Sequence, residues 1–278
     1  MKKILLTAAI ASLSLNAAHA YQVELNGGAG YNHINSDSGA FADGKTETGS
    51  IGGSATYYFN QVHTQNGPLA EAAFIERASN VFGAYSYSKD TVKIDTPYVQ
   101  DDFDVKAHHF SIGGEFYVPD TNFYASANVN RSKTEGYASK LGTYGAEVGY
   151  LPITNLLVAV GVAGTYGGDS NNDETDATVR AKYLTKLGNN DVNLEGKVQF
   201  GDRFNAYAVS GDYYLDRTLS IGASYNLLTQ DHFDDTYNVG INARKFVAEN
   251  ISVQGGVYAG KDLGDNDYGF SVGGTYRF

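Results

Sequence analysis

From residue 21 onward apolar and polar or small residues alternate along most of the chain. Ile51, Gly53, Ala55, Tyr57 and Phe59 interleave with Gly52, Ser54, Thr56 and Tyr58; Phe110, Ile112, Gly114, Phe116 and Val118 interleave with Ser111, Gly113, Glu115 and Tyr117. A period of two sends the two sets to opposite faces of a β-strand. The same pattern marks Val23 to Tyr31, a segment around Val81 to Tyr87, Phe123 to Val129, Tyr144 to Tyr150, Leu156 to Tyr166, Ala177 to Leu187 and Val192 to Phe200. It continues through Tyr207 to Leu215, Leu219 to Leu227, Tyr237 to Ala243, Ile251 to Ala259 and Tyr268 to Phe278. The pattern predicts an all-β fold of about 14 strands, with 12 to 16 bounding the count.

The connections are of two kinds, and they alternate. Phe116-Tyr117-Val118-Pro119-Asp120-Thr121-Asn122, Tyr150-Leu151-Pro152-Ile153-Thr154-Asn155, Tyr213-Tyr214-Leu215-Asp216-Arg217-Thr218 and Phe246-Val247-Ala248-Glu249-Asn250 read as tight reversals entered by an aromatic, because Pro and Asp favour turn dihedrals and Thr or Asn bonds back to the local backbone. The others, Asn35 to Thr48, Ser88 to Lys106, Arg131 to Gly142, Gly167 to Thr175, Thr229 to Asp235 and Gly260 to Asp267, read as longer, acidic and rich in Gly, Ser, Asn and Asp. Short turns on one side and long loops on the other are the asymmetry of a transmembrane antiparallel β-barrel, long loops outside. An even strand count returns both termini to the short-turn side. Such a sheet must close, since in hydrocarbon each unpaired backbone group costs several kcal/mol. Aromatics gather where strands meet short turns: Tyr57, Tyr58, Phe59, Phe116, Tyr117, Phe123, Tyr124, Tyr150, Tyr213, Tyr214, Phe246 and Tyr276. They are expected as a girdle at headgroup depth.

Residues 1–20 stand apart. Lys2 and Lys3, the apolar run Ile4 to Leu15 and Ala18-His19-Ala20 have the layout of a cleaved signal peptide, with cleavage before Tyr21. The barrel is then residues 21–278, exported and inserted into a bacterial outer membrane. Beyond the signal, the longest apolar run is Leu156 to Gly164, far short of the roughly 18 to 20 residues a membrane helix needs.

Composition narrows the function. A net charge of −11 argues against a nucleic-acid partner. The absence of cysteine removes thiolate metal sites, disulfides and thiol nucleophiles. A mean hydropathy of −0.31 fits a barrel whose inner face is polar around water.

Two stretches resemble known sequences. The ending Tyr268, Phe270, Val272, Gly274, Tyr276, Phe278 is similar to the terminal-strand signal read by the barrel-assembly machinery of Gram-negative bacteria, with Tyr276 and Phe278 as the signal. Asn66-Gly67-Pro68-Leu69-Ala70-Glu71-Ala72-Ala73-Phe74 resembles a segment of the general bacterial porin family. That resemblance implies a passive outer-membrane pore. It carries over no binding residues.

Period two lapses between Leu69 and Asn80. Pro68 suits a helix start and Glu71 its first turn. A periplasmic helical turn, a segment folded into the lumen as a partial plug, and an irregular strand start are all open readings, and only the plug would gate flow.

Chemistry-bearing candidates are few. His232 beside Asp231, Asp234 and Asp235 is the nearest approach to a barrel-hydrolase site, without a nucleophile. His33, His63, His108 and His109 are scattered, and the two rings of His108-His109 fall on opposite faces of a strand. The acidic runs Asp169 to Asp176 and Asp262 to Asp267 lack the glycine and terminal glutamate of a helical calcium loop. No metal, no cofactor and no catalysis are expected. An acidic mouth would concentrate cations within about 8 Å in physiological salt.

Selectivity is expected from the inner wall. Alternation aims Glu115, Glu147, Thr178, Arg180, Lys182, Asn193, Glu195, Lys197, Gln199 and Arg244 inward. If the turn Gly188 to Asp191 sets the register, Lys182 lies opposite Lys197, with Glu195 and Arg180 diagonal. The expected function is a porin passing small hydrophilic solutes, its other partners being outer-membrane lipids, lipopolysaccharide and the assembly machinery. A homo-oligomer is compatible; trimeric porins usually need an inward loop, for which Ser88 to Lys106 is the longest candidate. A structural or adhesive barrel with partner-binding loops is the alternative.

Overall fold

The computed structural model describes residues 20–37, 43–95, 100–136, 140–167, 174–230 and 234–278. All fourteen expected strands form: β1 (Ala20–Asp37), β2 (Asp43–His63), β3 (Asn80–Asp95), β4 (Gln100–Tyr117), β5 (Phe123–Thr134), β6 (Lys140–Ile153) and β7 (Leu156–Gly167). The second half is β8 (Glu174–Leu187), β9 (Asn190–Phe200), β10 (Phe204–Asp216), β11 (Leu219–Gln230), β12 (Thr236–Ala248), β13 (Ile251–Asp262) and β14 (Asp265–Arg277). Each strand pairs antiparallel with its sequence neighbours and β14 pairs with β1, so the sheet is a closed barrel. The ends interlock at the seam: Gln22 N and Val23 N each donate to Phe278 O at 2.9 Å, and Phe278 N donates to Val23 O at 3.0 Å.

The outer face carries the apolar half of the alternation. Ile51, Ile112, Val148, Val209, Ile241 and Val272 are each more than half exposed, which in water would be an aggregation surface and in a bilayer is the lipid contact. No helix among the described residues is long and apolar enough to cross a membrane.

Three expectations change. The stretch Ser88 to Lys106 is not an inward loop: β3 and β4 continue as a ladder from Ser88↔Ala107 to Asp95↔Gln100. Asn35 to Thr48 likewise extends the β1–β2 ladder to Asp37↔Asp43. Polar residues mark where strands leave the bilayer, and pairing outlasts the lipid because water and cross-strand bonds such as Lys89–Asp104, 2.9 Å, support it. Among the described residues of this hairpin there is no inward loop of the kind linked to a trimer.

The second change is register. Gly188 takes φ of +65°, and with Asn189 it forms a two-residue turn that pairs Leu187 with Asn190. Lys182 therefore faces Glu195 and Arg180 faces Lys197, two positions from the expected pairing. The sheet avoids the Lys182–Lys197 repulsion but sets Arg180 and Lys197 side by side.

The third concerns the aromatics. Tyr57, Phe59, Phe116, Phe123, Tyr150 and Tyr213 are exposed on the outer face, while Tyr58, Tyr117, Tyr124, Tyr214 and Phe246 are buried inside. Adjacent residues cannot share a face, so five of the twelve clustered rings turn inward and do not join the girdle. Of the inner rings, Tyr58, Tyr117, Tyr124 and Tyr214 pack on residues 64–79, which fold into the lumen at the short-turn end as a 3-10 turn (Leu69–Glu71) and one helical turn α1 (Ala72–Ile75).

Candidate functional site: the lumen and the segment across it

The segment reaches opposite arcs of the wall. Leu69 N donates to Arg217 O in the β10–β11 turn at 2.9 Å, and Arg217 returns bonds to Gly67 O and Thr64 O. On the other side, Arg77 donates to Thr121 O at 3.2 Å and to Asn122 at 2.9 Å in the β4–β5 turn. Phe74 sits in a cluster with Tyr117, Tyr124, Leu151, Leu157, Leu184 and Tyr214, from β4 to β10. Ala72 and Ala78 pack with Tyr21, Tyr58 and Val62. Of the three readings of this stretch, the inward fold is the observed one: its apolar residues match inward aromatics that would otherwise face water.

Polar locks reinforce the packing. Glu71, 6% exposed, pairs with Lys182 at 2.8 Å and accepts from Tyr214 Oη at 2.7 Å. Lys182 also lies 4.7 Å over the Phe74 ring. Arg277 donates to Leu69 O at 2.8 Å and to Glu24 at 2.7 Å, with its guanidinium over the rings of Tyr21 and Phe246.

The charged residues singled out from the sequence all lie on the inner face. Arg180 bonds Glu195 at 2.8 Å and Glu147 at 3.3 Å, and Lys197 reaches Glu147 at 3.2 Å. Tyr124 Oη donates to Glu115 at 2.9 Å and accepts from Arg180 at 3.4 Å. A continuous network therefore runs from Glu115 to Lys197, and Glu147 relieves the Arg180–Lys197 juxtaposition. Lys182 is drawn away to Glu71. Arg244 stands apart on β12, donating to Gln254 at 2.7 Å, beside a cavity of about 230 Å³ that Glu71, Asp212 and Tyr214 also line.

Where β1–β4 and β12–β14 line the middle of the lumen, no Asp, Glu, Lys or Arg borders the free space. A cavity of about 640 Å³ runs along Asn26, Ser50, Ser54, Ser86, Ser111 and Gln254 with several glycines between them. Small residues leave this side open while charges bond to one another on the other.

Glu71 and Arg277 were not among the sequence-derived site residues. Arg277 was legible: with Tyr276 and Phe278 turned outward, the residue between them faces the lumen. Glu71 was visible only as a helix-start acid, and its partners come from strands more than a hundred residues away. Tyr276 and Phe278 lie on the outer face with ring centroids 5.6 Å apart. His232 and Asp231 fall outside the described residues, as do residues 1–19 and most of the acidic run Asp169 to Asp176. Among the described residues no cluster of three or more His, Asp or Glu is arranged to hold a metal.

Comparison with known proteins follows the same lines. A family model described as "Putative general bacterial porin" matches residues 1–172 and 155–278. Among solved structures, the outer membrane protein Omp33 of Acinetobacter baumannii is 26% identical, with a TM-score of 0.66, covering 93% of this chain and 99% of that one. An outer membrane channel from Pseudomonas putida F1 is 10% identical, TM-score 0.51, covering 93% and 96%. The translocator domain of the autotransporter NalP from Neisseria meningitidis is 10% identical, TM-score 0.50, covering 100% and 95%. These last two likenesses concern the fold alone. No curated protein matches the chain.

Proposed function

Because the chain belongs to the general bacterial porin family, we propose that it passes small hydrophilic solutes and ions passively across the outer membrane, with residues 64–79 controlling the periplasmic exit. One observation carries this reading: a closed, lipid-facing wall surrounds a polar lumen with a cavity of about 640 Å³. A cavity lined by serine, asparagine and glycine offers hydrogen bonds to any small polar solute and a deep well to none, which suits conduction over storage.

Within this reading Glu115, Glu147, Arg180, Lys182, Glu195 and Lys197 set a transverse field while largely neutralising one another. Arg244, beside the cavity that flanks Glu71, is the charge a solute would meet on leaving. Residues 1–20 serve as a cleaved export signal, and Tyr276 and Phe278 present the closing strand to the assembly machinery. Catalysis has no part in it.

A swelling series on liposomes containing the purified protein, using sugars and amino acids of graded size, tests the proposal. A size cut-off is expected, and Arg244→Glu should shift preference between anionic and cationic amino acids of equal size. Swelling no faster than in protein-free liposomes would favour the structural or adhesive barrel, which the segment lying across the lumen also accommodates.

A further inference from the structure

On the inner face of β10–β12 two opposite charges lie near one another and stay unpaired. Of the inward cations Arg180, Lys182, Lys197, Arg244 and Arg277, all but Arg244 have a carboxylate at 3.3 Å or closer among the described residues. Arg244 Nε donates instead to Gln254 Oε1 at 2.7 Å, on the β13 side. Asp212 on β10 likewise joins no ion pair among the described residues, and its Oδ1 accepts a long bond of 3.4 Å from Asn242 Nδ2. Next to it on β9 is its register partner Asn193, 5% exposed, whose Oδ1 meets no hydrogen-bond donor.

The ladder places Asp212 opposite Gly222 and Gly222 opposite Asn242, with Arg244 two residues further toward the short turn. Two strand spacings of about 4.8 Å and two residues of about 3.4 Å set the Asp212 and Arg244 backbones roughly 12 Å apart. Between them the inner face of β11 is small, carrying Ser220 and Gly222. A Cβ on Gly222 would fall on the Asp212 carboxylate and the Asn242 amide, so this floor has to be bare. The space left is the cavity of about 230 Å³, bounded on one side by Ala70 and Glu71 of the inward segment. Glu71 is already held by Lys182 and Tyr214, which leaves Asp212 and Arg244 as the uncompensated charges at its edge.

Asn242 and Gln254 hold the carboxylate and the guanidinium apart, so neither satisfies the other. A molecule with an ammonium at one end and a carboxylate at the other satisfies both. We propose that this cavity is a binding subsite for small zwitterionic amino acids, the α-carboxylate on the Arg244 guanidinium and the α-ammonium on Asp212. The subsite deepens the passage of small polar solutes proposed above and rests on it. With Nε fixed by Gln254, Arg244 keeps the terminal nitrogens of its fork for a carboxylate. Asp212 is an acceptor, and an ammonium brings three donors and no acceptor. A neutral sugar of the same size would displace water from both charges and compensate neither. The cavity is also smaller than the roughly 300 Å³ at which sites for drug-sized ligands begin, which keeps the guest small.

Saturation-transfer NMR on the full-length barrel in detergent, at about pH 6 where amines are protonated and carboxylates ionised, compares three probes. They are L-alanine, L-alaninamide, which keeps only the ammonium, and propionate, which keeps only the carboxylate. L-Alanine should bind at least about tenfold more tightly than either. Arg244→Gln should bring L-alanine down to the level of L-alaninamide, and Asp212→Asn down to the level of propionate, a crossed pattern that a general loss of structure would not produce. Heat-modifiable migration on gels checks that both variants are folded. Equal affinities for the three probes, no measurable binding of L-alanine, or variants that bind it as the wild type does would overturn the proposal. The titration needs no flow: swelling in arabinose without binding of L-alanine would refute the subsite and leave the channel, whereas binding without swelling would refute the channel and leave the subsite.

Discussion

Arg277 shows how much one side chain can hold at a barrel seam. It is 4% exposed, bonds Glu24 on the neighbouring strand and Leu69 O on the inward segment, and covers two aromatic rings. Removing one partner of a buried pair costs about 3 to 5 kcal/mol, chiefly because the other charge is stranded. Arg277→Ala should therefore lower the unfolding midpoint in urea, and Glu24→Gln combined with it should cost less than the two single losses added. Additive losses would place the effect elsewhere. A different residue-scale constraint acts at Gly142, where a Cβ would fall on the Tyr166 ring that lies over it. Gly142→Ala should destabilise the β6–β7 pair, and Tyr166→Ala should rescue it, as read by heat-modifiable migration. The inward side of a charged residue was legible from alternation. The register of Lys182 was not, because it depends on whether Gly188 and Asn189 alone make the turn.

At the scale of elements, the strands were readable and the segment between β2 and β3 was ambiguous, for one physical reason. A strand declares its face through period two, but a helical turn such as Ala72–Ile75 is too short to declare a period of its own. Its site is chosen by what it meets: Tyr117, Tyr124 and Tyr214 face inward and would be wasted on water. The same ambiguity misassigned the Ser88 to Lys106 hairpin, since charged residues can solvate a loop or a ladder equally well. Weakening the polar lock tests the element directly. Glu71→Ala removes both the Lys182 ion pair and the Tyr214 bond, and its single-channel conductance in planar bilayers should rise or its closures shorten. An unchanged trace would mean that the apolar cluster alone fixes the segment.

For the whole molecule, closure, the lipid-facing wall and the polar lumen follow from one alternation carried through fourteen strands. Net charge and amino-acid composition contributed exclusions and no architecture. What one sequence could not supply was the lumen's free cross-section, set by the wall of β1–β4 and β12–β14 on one side and residues 64–79 at the end. The central claim is that solutes move through this lumen only when that segment yields. The chain contains no cysteine, so Glu71→Cys with Lys182→Cys can be bridged by a short, reducible thiol cross-linker without side reactions. Liposomes carrying the bridged protein should swell in arabinose no faster than empty ones, and reduction should open them above the wild-type rate. Swelling by the bridged protein at the wild-type rate would contradict the account.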